Sequence, residues 1–328
     1  MTELRRARSV SCCLLVGMLS AACDERTDHG SEMALELRGL DGAPTRVTWD
    51  QLRRMHAVEG YGGILNTVGR ITPPSSFKGV PLVELLSLVG GLEESTGVQV
   101  SARDGYVVTL SGSQVASGSV VTFDPQTGEP NRVEPPPTSV LAYERGSLRL
   151  PEDEGPLRVA YLTERAEQIT EGHLWVKMVA LLRLVPQRRE WALRLVGART
   201  EEIDRSFFES GSAPGCHGAT WTDGDGRIWT GIPLWLLVGW VDDQNVHARG
   251  AFDRDLAARD YPVDLISGSG DSVALSSARI ADDDGVLLAH EVDGSPLDPP
   301  DAPLRLVGPS LGPEERLGGV VEIRLDLP

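Results

Sequence analysis

The same ordered set of segments occurs twice in this chain. Phe77-Lys-Gly-Val-Pro-Leu82 returns as Trp229-Thr-Gly-Ile-Pro-Leu234, an offset of 229 − 77 = 152. Leu141-Ala-Tyr-Glu144 returns as Leu288-Ala-His-Glu291, an offset of 288 − 141 = 147. Pro156-Leu-Arg-Val159 returns as Pro303-Leu-Arg-Leu306, again at 303 − 156 = 147. Three blocks in one order at a nearly constant offset imply an internal duplication, which limits the chain to copies of one unit. The expected copies run over 34–186 and 190–328, each of ordinary domain size, with Pro186-Gln-Arg-Arg-Glu190 as the linker.

Within each copy the pattern is mixed. After Pro81, the residues Leu82, Leu85, Leu86 and Val89 fall at i, i+3, i+4 and i+7, and Gly90-Gly91 ends the run, which predicts a short amphipathic helix. Leu234, Leu237, Val238 and Val241 repeat that spacing after Pro233. Thr48-Trp-Asp-Gln51 has capping-box spacing and predicts a helix start. Val98–Val100, Tyr106–Leu110, Val140–Tyr143 and Pro156–Ala160 read as strands, and the proline-rich segment 124–138 as a surface loop. The expected class is α+β, with mixed sheets and short helices.

The N-terminus reads as an export leader. Arg5, Arg6 and Arg8 precede the apolar run Ser9–Ala22, which ends in small residues before Cys23. Residues 1–22 read as a signal peptide and 24–33 as a polar tether; small residues before Cys23 resemble the lipobox of lipoproteins, which implies Cys23 as the acylated N-terminus, with plain secretion as the alternative. The expected location is the cell envelope or periplasm, with the lipid as the only membrane attachment. The chain has 31 basic and 48 acidic residues; loss of three arginines and Glu3 with the leader leaves 28 − 47 = −19. A surface of that sign repels nucleic acid and anionic headgroups. Cys12 and Cys13 leave with the leader, so Cys216 has no disulfide partner and multi-cysteine zinc sites are excluded.

Taken together, Gly79–Leu82, Asp104–Tyr106, Leu141–Tyr143, Gly155–Arg158 and Trp175–Lys177 resemble the molybdopterin-binding domain of sulfite-oxidase-like oxidoreductases. The second copy keeps Gly231–Leu234 and Pro303–Arg305 but has Ser269-Gly270-Asp271 in place of Asp-Gly-Tyr. The resemblance implies two tandem units of that fold and a molybdopterin cofactor with molybdenum. It further implies transfer of an oxygen atom or two electrons to or from a small substrate or a redox partner protein. In the family a cysteine thiolate upstream of Gly-Val-Pro-Leu binds molybdenum. Cys216, 13 residues before Trp229, lies in that region, and the matching position of the first copy is Ile64 (216 − 152).

Cys216 therefore reads either as a soft thiolate ligand or as a buried thiol packed like a small hydrophobe. His217 could hold an anion or serve structure alone. Arg249 and Arg254 are the clustered bases after the second helix; they read either as donors to a pterin phosphate or as surface ion pairs. Trp229, Trp235 and Trp240 could line a pocket or a contact between the copies. Asp223-Gly-Asp225-Gly reads as a hairpin turn before it reads as a calcium loop. The competing functional reading is a cofactor-free envelope scaffold that binds a ligand or partner protein.

Overall fold

A computed structural model describes residues 31–245 and 251–328. Cys23, the leader and Arg249 lie outside the described residues. The chain is mostly β, in mixed sheets with a few short helices. No described helix is long and apolar enough to cross a membrane.

Strands up to Pro186 form two sheets, and strands from Ala192 onward form two others. One sheet of the N-terminal half runs in the order Pro44–Thr48, Met33–Arg38, Val179–Pro186, Thr96–Ala102, Val107–Ser111. Met33–Arg38 is parallel to Val179–Pro186, and its other partner is antiparallel. A sheet of the C-terminal half follows the same order: Thr200–Asp204, Ala192–Val196, Val320–Leu325, Pro262–Ser267, Ser272–Ser276. Its parallel pair again joins the second and third strands. Each half has its own apolar core, one built around Leu37, Leu82, Leu141 and Val159, the other around Leu195, Leu234, Leu288 and Leu306.

The Gly-Val-Pro-Leu block and its counterpart explain themselves in the second pair of sheets. Strand Ile71–Pro81 pairs with Thr138–Arg145, and strand Ile228–Pro233 with Leu287–Val292. A Cβ on Gly79 would come within 2.3 Å of the Leu141 carbonyl oxygen, and one on Gly231 within 2.1 Å of that of Leu288. Both contacts are with backbone, so neither site admits a side chain. Each strand then runs through proline into a helix, Leu82–Ser87 or Leu234–Val238. Leu82, Leu85 and Leu86 are buried, as are Leu234, Leu237, Val238 and Val241. Both helices stop sooner than the apolar spacing suggests; Gly90 and Gly91 at positive φ turn the first chain away. Thr48 caps the helix Trp49–Arg54 with the full reciprocal box to Gln51.

Candidate functional site

The halves meet where helix Arg205–Gly211 lies on strand Val107–Ser111. Arg205 is almost completely buried. Its guanidinium donates to the Thr109 carbonyl of the other half at 3.2 Å, to Glu209 Oε2 at 2.8 Å and to both carboxylate oxygens of Glu190. Arg188 adds bonds to Glu209 and Glu291 at 2.8 and 3.0 Å. Every charge in this knot has an opposite partner, the condition under which buried ions are tolerated.

Beside the knot the seam opens into a cavity of about 310 Å³. Its walls come from both halves: Ile64, Tyr106 and Trp175 on one side, and Phe207, Ile232 and Trp240 on the other. Polar groups are few and convergent. They include Arg158, Lys177, His173, Ser210, Cys216 and His217. A largely apolar hollow with a handful of fixed polar groups is the usual form of a small-molecule site.

Arg158 is the decisive polar group. It starts the strand Arg158–Leu162, five consecutive buried residues. Its guanidinium lies 5.2 Å from the Trp175 ring centroid and 5.7 Å from that of Phe77, and Nη1 donates to Glu154 Oε2 at 2.5 Å. Nε and Nη2 have no hydrogen-bond partner among the described residues, although the side chain is buried. Burial pulls this guanidinium below its ordinary range, partly opposed by Glu154. The C-terminal half repeats the arrangement with Arg305 over Trp229 at 5.7 Å and paired to Asp301. Arg305, however, is partly exposed and stands outside the cavity.

Cys216 and His217 sit in the turn after helix Arg205–Gly211, where Cys216 N–H donates to the Ala213 carbonyl and His217 N–H to that of Gly211, both at 2.9 Å. In an extended strand the two side chains would face opposite ways. The turn instead brings both to the cavity. Cys216 is reachable from solvent but walled on several sides, and the lost hydration pushes its thiol up. Burial pulls His217 down. Tyr106, whose hydroxyl donates to the His173 carbonyl at 2.9 Å, is pushed up to about 12, chiefly by burial. Its phenol stays protonated at neutral pH.

The remaining sequence-predicted residues lie elsewhere. Trp229 packs in a separate apolar cluster, its Nε1 donating to Asp223 Oδ2 at 2.9 Å. Trp235 bonds Asp284 and packs on Phe252, so of the three tryptophans only Trp240 lines the cavity. Arg254 is exposed and paired with Asp282 at 2.6 Å, away from the cavity. The Asp223–Arg227 segment is a hairpin turn between Ala219–Thr222 and Ile228–Pro233. Sequence reasoning took Arg158 and Lys177 only as markers of fold. The available signal was a full charge inside the apolar run Pro-Leu-Arg-Val-Ala-Tyr-Leu, since an arginine there has to be buried and matched.

No family model matches the sequence, and no curated protein matches it. Among solved structures, the chain is similar to the sulfane dehydrogenase SoxCD from Paracoccus pantotrophus, at 15% identity and a TM-score of 0.38. The match covers 75% of this chain and 59% of that one. A likeness of this size leaves function to be argued from the cavity itself.

Proposed function

We propose that this chain is a molybdopterin-binding oxidoreductase-like protein of the cell envelope, with its site in the cavity between the halves. The observation that carries the reading is Arg158. Two buried guanidinium nitrogens without partners, on a side chain that lines the hollow, call for an acceptor, and a phosphate or comparable anion supplies one. Lys177 adds a second cation at the same hollow, and Cys216 adds the single soft donor, a set that suits an anionic cofactor bearing a high-valent metal. In this reading Arg158 and Lys177 hold the anionic part, Cys216 ligates molybdenum, and His217 adds a neutral donor or acceptor beside it. The cofactor, when bound, supplies oxygen-atom or two-electron transfer. Trp175, Phe207 and Trp240 exclude water, and the protonated Tyr106 braces the wall. A small-molecule substrate or a redox protein is the partner.

The same reading takes the halves as tandem copies of one unit. Equal strand order, the barred Cβ at Gly79 and Gly231, and the paired Arg158–Phe77 and Arg305–Trp229 stacks support it. Lipid attachment at Cys23 completes the proposal, and loss of radiolabelled palmitate incorporation in Cys23→Ser tests that part.

A second reading, a cofactor-free module binding an apolar anion, is favoured by one observation: the cavity walls are mostly apolar and hold the Cys216 thiol protonated. Metal analysis of the full chain, expressed in a host that makes the cofactor, separates the two. The oxidoreductase reading expects molybdenum near one per chain, lost in Cys216→Ser and reduced in Arg158→Met, with both variants folded. A folded wild-type protein free of molybdenum under those conditions overturns it in favour of the module.

A further inference from the structure

A second cluster lies at the same seam, beside a neighbouring hollow that shares Phe207 and Trp240 with the first cavity. Glu171 and His173, from the N-terminal half, meet Asp204, the residue that caps helix Arg205–Gly211 of the C-terminal half. One ring nitrogen of His173 and one carboxylate oxygen from each acid lie within 4.8 Å of one another. Ligands held about 2.0–2.2 Å from a zinc-sized ion in tetrahedral geometry stand roughly 3.3–3.6 Å apart. Closing the set requires side-chain shifts on the order of one ångström.

Hydrogen bookkeeping fixes the state of the histidine. Ser206 Oγ donates its one hydrogen to Asp204 Oδ1 at 2.9 Å, and Asp204 Oδ1 also accepts from Phe207 N–H at 2.7 Å. His173 Nε2 lies 3.0 Å from the same Ser206 Oγ, which has only lone pairs left to offer, so Nε2 carries the ring proton. Nδ1 then bears a free lone pair. The side chain is 9% exposed, and Nδ1 has no partner among the described residues. A ring protonated on Nε2, with Nδ1 unshared, is the form in which imidazole binds metals.

A route in is also present. A hollow of about 380 Å³ opens on Glu171 and Asp204 and is further lined by Glu201 and Glu202. Its single arginine, Arg199, is already paired with Glu201. Four carboxylates around one neutralised base attract cations rather than the anion that Arg158 requires.

We propose that Glu171, His173 and Asp204 form a binding site for a divalent first-row transition ion of the zinc type. One imidazole and two carboxylates make a borderline donor set with an open fourth position. Because the ligands come from both halves, the ion clamps the seam and stabilises the folded chain by mass action. Ser206 is the supporting group, orienting His173 and Asp204 at once.

The test is cobalt(II) binding to the full mature chain, followed by visible absorption and equilibrium dialysis, with zinc(II) as competitor. The expected result is one ion per chain, displaced by zinc, with a raised thermal midpoint. Glu171→Gln and Asp204→Asn should each weaken binding at least about tenfold. Both are isosteric, and asparagine still caps a helix, so folding is retained and is checked by circular dichroism. Cys216→Ser should leave cobalt affinity within about twofold, which separates this site from the molybdenum proposal. Absence of stoichiometric binding, equal affinity in the carboxamide variants, or loss of binding in Cys216→Ser would each overturn the inference.

Discussion

Replacing Arg158 with methionine separates an anion receptor from a structural brace, because the two roles make opposite demands on the ligand-free protein. As a brace, the arginine would be one partner of a buried ion pair, and its removal would cost about 3–5 kcal/mol. The surroundings argue otherwise. Glu154 is not abandoned when Arg158 goes, since Arg145 Nη1 still donates to both of its oxygens at 2.9 and 3.1 Å. The variant loses one charge-assisted bond, about 1.5–3 kcal/mol, and the ring contacts, about 0.5–2 kcal/mol. It gains relief from two unmet buried donors, about 1–3 kcal/mol each. Methionine keeps the stem against Phe77 and Trp175, so the net change should fall within about 1.5 kcal/mol of zero. Urea denaturation at neutral pH measures it. Inorganic phosphate at about ten times its dissociation constant should add roughly 1.4 kcal/mol to the wild type and nothing to the variant. A loss of 3–5 kcal/mol without ligand, together with an unchanged phosphate response, would refute the receptor reading.

Other perturbations follow from the seam. Arg205→Met leaves Glu209 held by Arg188 alone and should cost about 1.5–3 kcal/mol for each charge-assisted bond lost; the Arg205–Glu209 coupling is read from a double-mutant cycle with Glu209→Gln. His290, bonded to Ser212 at 2.7 Å and faced by Glu209, Arg188 and Arg205, is pulled down to about 4, mainly by burial. Between pH 6.5 and about 4 the unfolded chain takes a proton that the folded one refuses, so stability should decline by about 1–3 kcal/mol on acidification through that window. His290→Gln should flatten that slope in urea titrations at several pH values. Cys216 should react with iodoacetamide more slowly than a free cysteine at pH 7.5, with the rate still climbing above pH 9, because the thiol is reachable yet pushed up; a rate already at its plateau at pH 7.5 would contradict this.

Much of the scaffold was legible in the sequence because its markers are local. Thr48-Trp-Asp-Gln51 caps a helix wherever it occurs, and Pro-Leu-x-x-Leu-Leu opens one. Gly79 and Gly231 were visible as repeated glycines, but their reason, a neighbouring strand passing within reach of a Cβ, belongs to the paired sheet and not to the local chain. The site was legible only in part for the same reason. Cys216 stood out by its solitude and does reach the cavity with His217. Arg254 and Trp229 lie near the second helix in sequence, whereas the cavity is walled by residues more than a hundred positions apart, such as Tyr106 and Phe207. Glu171, His173 and Asp204 carry no spacing signal at all, because two halves of the chain supply them.

Under the tandem-copy reading proposed above, the placement of both candidate sites at one seam follows from how a repeated unit can change. A shared contact lets each half lose what the other provides. Ile64 and Cys216, related by the repeat offset, line the same cavity, so one half offers a hydrocarbon where the other offers a thiol. Arg158 and Arg305 occupy matching strands over matching rings, yet only Arg158 is buried with donors left open, whereas Arg305 is partly exposed and outside the cavity. The metal cluster divides likewise, with two ligands from one half and the third from the cap of the other half's helix. Neither half alone contains a complete donor set, so ligand binding at either site should strengthen the grip of one half on the other. Arg205, which joins that helix to the opposing strand through the Thr109 carbonyl, is then the residue through which the cavity and the cluster are held in register.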